Sequence, residues 1–200
     1  LLNYSFSRDS VERTNTTVIS INSSDIEDAE SLHTIVVQLK PSEGSWSTDD
    51  LSTIWYNSSS SSWETNFTPS TTAELGLYDL RIMVNDTDGA STGWKTYSDV
   101  ITVTNNVPSL SNYGLSASSV LRSNTIVIGM NTTDDEDAES SHTVVVQYRA
   151  ITGGWQTSYL STVWYDSSDS RWETNFTPVS SAVLGTYDLR LMVNDTNGGS

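Results

Sequence analysis

Four carboxylates crowd the stretch "SSDIEDAESLHT" at 23–34, and the chain repeats the arrangement as "TTDDEDAESSHT" at 132–143. Acidic groups this close repel one another unless a cation sits among them. Oxygen-only ligands on a short polar loop suit Ca²⁺, which takes roughly six to eight of them in flexible geometry, better than Zn²⁺ or Mg²⁺. Further acids lie in "NDTDG" at 85–89 and "NDTNG" at 194–198. The candidate ligands are therefore Asp25, Glu27, Asp28, Glu30, Asp86 and Asp88 in one set. The other set is Asp134, Asp135, Glu136, Asp137, Glu139 and Asp195, with Asn197 standing where Asp88 does in the first. No EF-hand spacing is present, and a charge run is also the ordinary make-up of a solvated loop. His33 and His142, which follow the acidic loops, read as hydrogen-bonding residues at a strand start rather than as transition-metal ligands.

Composition narrows the partners. The 200 residues carry 25 acidic and 9 basic side chains, a formal charge of −16, with a pI near 4.1. Such a surface repels nucleic acid and anionic membranes. There is no cysteine, so disulfides and thiolate metal sites are excluded. No apolar run is long enough to span a bilayer, and the opening "LLNYSFSRDS" has neither an initiator Met nor a signal peptide, as expected of a processed protein or a segment of a longer one. Seven Trp and nine Tyr argue for packed cores despite the abundance of Ser and Thr.

The elements that position the acids come in two copies. Asp25 and Asp134, Trp46 and Trp155, Trp63 and Trp172, and Tyr78 and Tyr187 are each 109 residues apart, and 54 of the 90 positions in 2–91 are identical to their counterparts in 111–200 without a gap. An internal repeat of this strength means two like domains. The boundary is expected at "NNVPSL", where Pro108 interrupts strand pairing, giving units 1–107 and 108–200. Ser200 matches Ser91, so the second copy lacks counterparts of 92–109 and is expected to lack its last strand.

Within each unit apolar residues alternate with period two. Ile19 and Ile21, then Ile35, Val37 and Leu39, then Trp63, Thr65 and Phe67, then Tyr78, Leu80, Ile82 and Val84 each mark one face of a half-buried strand, and "SDVITVT" closes the first unit. About seven short strands in roughly 100 residues predict an all-β fold of two tandem β-sandwiches. At "LGLYDLRIMVNDTDG" and "LGTYDLRLMVNDTNG" the chain resembles the late strands of immunoglobulin-like repeats, of the PKD-like and cadherin-like kind found along archaeal and bacterial surface proteins. The Trp-Asp-Phe-Gly-Asp-Gly signature of PKD domains and the cadherin linker motif are absent. The resemblance implies immunoglobulin-like sandwiches, with Tyr78 and Tyr187 as tyrosine corners, and roles in stalks, surface layers, fibres or adhesins. It also implies that the acidic loop and the "NDTDG" loop share one pole of each sandwich, where a cation, with Asn105 and Asn106 nearby in the second copy, would stiffen a rod.

Nine Asn-x-Ser/Thr sequons occur, at Asn3, Asn15, Asn22, Asn57, Asn66, Asn85, Asn131, Asn175 and Asn194. Three pairs (Asn22 with Asn131, Asn66 with Asn175, Asn85 with Asn194) match in register on the outward phase of their strands, the only face that accepts a glycan. They point to an extracellular, N-glycosylated protein. No nucleophile elbow or catalytic triad is present, and carboxylates repeated in one loop without a cleft do not make a glycosidase, so the chain is read as non-enzymatic. Trp63 and Trp172 share the phase of core residues. Trp46, Trp94 and Trp155 could instead stack on sugars, which would make the chain an adhesin or carbohydrate-binding module on a cell-surface rod. The preferred reading is a structural repeat of an archaeal cell-surface glycoprotein that self-associates with copies of itself, with donor-strand exchange at the open second domain and Ca²⁺ at the domain junction.

Overall fold

Alternation of β-branched and polar residues builds nearly everything in the protein, as the computed structural model, describing residues 2–198, makes plain. The first unit opens with β1 (Leu2–Phe6), β2 (Ser10–Glu12), β3 (Thr17–Ser23) and β4 (Thr34–Pro41). It continues through β5 (Trp55–Asn57), β6 (Ser62–Phe67), β7 (Gly76–Asn85) and β8 (Lys95–Thr104). Its two sheets have the orders β1-β3-β6-β5 and β2-β8-β7-β4, antiparallel throughout except for the parallel pair β2–β8. This is the strand order of an immunoglobulin-like sandwich, one sheet holding the first, second, fifth and fourth strands and the other the third, sixth and seventh.

The period-two residues meet between the sheets. Ile19, Ile21 and Phe67 from one sheet pack with Val37, Leu80, Ile82, Ile101 and Val103 from the other, all essentially sealed from solvent. Removing such apolar surface from water, at about 25 cal/mol per Å², is what drives the two sheets together. Two devices fix the register. Tyr78 donates its hydroxyl to the Glu74 carbonyl at 2.9 Å, and Tyr187 does the same to Val183 at 2.6 Å, so both tyrosine corners form. The residue two before each, Gly76 or Gly185, has φ of +121° or +135°, a conformation that side-chain-bearing residues rarely adopt.

The second unit repeats this plan with β9 (Ser109–Leu115), β10 (Ile126–Thr133), β11 (Thr143–Ala150), β12 (Trp164–Asp166), β13 (Arg171–Phe176) and β14 (Tyr187–Asn194). Its sheets have the orders β12-β13-β10-β9 and β11-β14. Among the described residues nothing takes the places of β2 and β8. The chain divides into compact units at Leu1–Asn105 and Asn106–Ser200. The sequence pattern omitted β1 and β2, and the acidic loops each contain a single 3-10 turn, Glu30–Leu32 and Glu139–Ser141.

Candidate functional site

The acidic loop between β3 and β4 and the loop after β7 lie at the same end of the first unit, and one residue ties them together. Asp28 Oδ2 accepts hydrogen bonds from the Thr87 backbone N–H at 3.1 Å and the Thr87 hydroxyl at 2.7 Å. These bonds, the hydroxyl's foremost, hold the Asp28 carboxyl below the usual carboxylate range. The second unit repeats the clamp, with Asp137 Oδ2 accepting from Thr196 N–H at 3.3 Å and Thr196 hydroxyl at 2.8 Å.

Other candidate ligands shape the loops internally. Asp25 Oδ1 accepts from Glu27 N–H, Asp86 Oδ1 from Ala90 N–H, and Asp195 Oδ1 from Asn197 N–H. Asp134 Oδ1 accepts from both Glu136 and Asp137 N–H, while its Oδ2 is buried without a hydrogen-bond partner. Glu136 Oε1 accepts from Asn106 N–H at 2.9 Å. Glu30 and Glu139 contribute through their carbonyls, which receive the indole N–H of Trp63 and Trp172 at 2.9 and 3.0 Å. Glu27, Asp88 and Asp135 stand exposed.

Behind the first loop is a 230 Å³ hollow lined by Asp25, His33, Asp86 and Thr92. His33 and His142 are buried at the starts of β4 and β11, their Nδ1 atoms 2.7 Å from the Ser23 and Thr132 hydroxyls. The hydrogen-bonding role read from their positions is thus present in both copies.

Among the described residues, three carboxylates come within 4.8 Å of one another only at Asp166, Asp169 and Glu173, on the β12–β13 hairpin. The acidic poles are more open, so a cation there would draw also on carbonyl and water oxygens. In the first unit the hairpin positions are Asn57, Ser60 and Glu64, and the amide and hydroxyl both donate to Glu64 Oε1 at 3.0 Å. In the second unit Arg171 takes over, its Nε 2.7 Å from Glu173 Oε1. A Cβ added to Gly129, the counterpart of Ser20, would meet the Arg171 guanidinium at 2.7 Å.

The candidate sugar-binding tryptophans are engaged by cations. Arg81 lies 4.6 Å from the centre of Trp46 and 4.2 Å from that of Trp94, while its Nε donates to Gln38 at 2.7 Å. Trp155 has both Arg149 and Arg190 at 4.6 Å. Such contacts contribute about 0.5–1 kcal/mol each at exposed sites. The nine sequon asparagines lie on outward phases or loops; Asn3 and Asn22 are exposed, whereas Asn194 has its side-chain carbonyl buried.

No family model matches the chain, and no curated protein does either. Among solved structures, the chain is similar to "Crystal structure of the titin domains z1z2 in complex with telethonin", with 13% identity over 95% of this chain and 93% of that one and a TM-score of 0.44. At that level the likeness carries no weight for function, and the immunoglobulin-like assignment rests on the strand orders above.

Proposed function

We propose that this chain is a structural repeat segment of an extracellular glycoprotein, spacing and stiffening a stalk, surface layer or filament built with further copies of itself. The observation that carries the reading is recurrence. One offset of 109 residues reproduces the loop clamp, the buried His–hydroxyl bond, the tyrosine corner and the Arg–Trp stack, so what is kept in both copies is the wiring of the sandwich. Surface position and N-glycans are supported by the outward placement of the matched sequons.

Calcium at the acidic poles belongs to this proposal. The second pole fits better than the first. It holds a buried carboxylate oxygen on Asp134 without a hydrogen-bond partner, and Asp195 in the loop clamped to it through Asp137 and Thr196 is buried too, whereas Asp25 in the first is exposed. Asp134, Glu136 and Asp195 would hold the ion, which would neutralise carboxylates that otherwise repel.

Thermal unfolding and sedimentation in millimolar calcium and then in excess chelator test both parts. A calcium-dependent rise in the unfolding temperature, larger for the second unit, together with concentration-dependent self-association, is expected. A monomer at all concentrations, indifferent to chelator, would overturn the reading. The rival adhesin role predicts glycan-array binding that is lost on Trp94→Ala or Trp155→Ala. The cations already over these rings favour the structural role.

A further inference from the structure

The loop that follows β7 and the one that follows β14 carry matching dipeptides of different chemistry. In the first unit the dipeptide is Asp88–Gly89, inside the complete hairpin that joins β7 to β8, and in the second it is Asn197–Gly198. All four residues are exposed. Gly89 and Gly198 take φ of +89° and +93°, so the two loops turn alike, a conformation that side-chain-bearing residues rarely adopt. The first unit shows the same exposure with both flanking strands in place, so it is a property of the loop itself. Among the described residues no acceptor takes the N–H of either glycine. Gly198 therefore offers an unengaged peptide nitrogen, with no Cβ to shield it, directly after an asparagine carboxamide.

The surroundings of Asn197 hold the turn but leave its side chain loosely engaged. Its own N–H donates to Asp195 Oδ1 at 2.8 Å, whereas its carboxamide Nδ2 reaches only Asp137 Oδ2, at 3.5 Å, the outer limit of a hydrogen bond. Every other asparagine in the chain is followed by a residue that carries a side chain. Asn22 and Asn131 lie within strands, their amides donating to the Ser61 and Ser170 carbonyls. Asn124 is the nearest rival, exposed in a loop, but β-branched Thr125 crowds the peptide nitrogen after it.

We propose that Asn197 is a self-modifying residue: it deamidates spontaneously in the folded protein, so that the second pole acquires with age a carboxylate where the first pole is synthesised with one. The Gly198 nitrogen attacks Cγ of Asn197, forms the C–N bond of a succinimide ring and gives up its proton to solvent, while the side-chain amide takes up a proton and leaves as ammonia. Water then opens the ring at either carbonyl. One product is aspartate, and the other is isoaspartate, whose main chain runs through the former side chain. Water is the sole co-reactant, and nothing is oxidised or reduced. The donation from Nδ2 to Asp137 is lost, and a carboxylate takes its place beside the Asp137 carboxylate, so the two repel unless a cation lies between them. This inference rests on the loop and its dipeptide and is independent of the stalk and calcium readings.

The test incubates the intact 200-residue chain in neutral buffer at body temperature and maps its peptides by mass spectrometry at intervals, with fragmentation that separates aspartate from isoaspartate. The amide-to-acid mass shift is expected to accumulate at Asn197 as a mixture of both products while Asn124 keeps its amide. Asn197→Gln, which keeps a carboxamide but sets it one methylene too far for the same ring, is expected to abolish the shift at 197 and leave the far-ultraviolet spectrum of the fold unchanged. An Asn197 that converts no faster than Asn124 would overturn the proposal. So would conversion confined to chain unfolded in denaturant, which would mean that the folded loop holds the reacting atoms apart. Aspartate formed without isoaspartate would also overturn it, because direct hydrolysis of the side chain, and not attack by Gly198, would then be the route.

Discussion

Asp28 reaches across the pole of the first sandwich to hold Thr87 by both its backbone N–H and its hydroxyl, and Asp137 holds Thr196 in the same way. The Asp28 carboxyl titrates below its ordinary range because it accepts these bonds. A depressed carboxylate contributes stability above its unfolded pKa of about 3.9, and that contribution is lost as pH falls through the folded value. The Thr87 amide resonance is therefore expected to move with a midpoint below that of a free aspartate, with loop exchange accelerating at lower pH. A midpoint at or above the free value would refute the clamp. Asp28→Asn is expected to loosen the 25–32 and 86–91 loops while leaving β4 and β7 protected.

Equivalent leucines should differ in worth. Leu80 is sealed between the sheets beneath β8, whereas Leu189 is half-exposed beside the open cavity. Leu80→Ala is expected to destabilise its unit by about 3 kcal/mol through lost burial and the void left behind, and Leu189→Ala by about 1 kcal/mol. Denaturant unfolding of the two variants decides this, and equal losses would contradict the open second core.

The tyrosine corners offer a gentler comparison. Removing the hydroxyl with Tyr78→Phe takes away the donor of a part-buried bond to the Glu74 carbonyl and is expected to cost about 1 kcal/mol. Tyr187→Phe is expected to cost less, because its bond to the Val183 carbonyl is exposed and solvent can replace the donor. Burial also pushes both phenols above their usual range, Tyr78 with help from the Asp50 charge. Stability held below pH 10 should therefore fall as pH rises through their folded pKa values.

Much of this was legible. β4 and β7 announce themselves because every second residue is apolar and buried, and the constant offset pairs each strand of the second unit with its counterpart in the first. β2 was not legible, since three residues in "SVE" carry no period and form a strand only by lying against β8. The Arg81–Trp46 stack joins residues 35 positions apart, and its one trace in the sequence is that Arg190 and Trp155 recur together. The Asp166, Asp169 and Glu173 group was missed because it arises from two substitutions in a hairpin that is neutral at those positions in the first copy.

Sequon occupancy follows accessibility rather than motif count. Glycopeptide mapping of protein secreted from a glycosylating host is expected to find Asn3 and Asn22 modified before Asn194, whose side-chain carbonyl is buried. Asn194 occupied with Asn22 bare would show that accessibility in the folded sandwich does not set the order.

Two nearly identical strand edges also set up a problem of timing. Residues 76–85 and 185–194 agree at eight of ten positions, so in the unfolded chain β8 meets a correct and an incorrect partner of almost equal appeal. Sequence proximity favours β7, because the shorter loop closes first. Refolding should accordingly split into a fast majority and a slow minority that must release β8 from β14 before starting again, the kinetic signature of like neighbours in tandem.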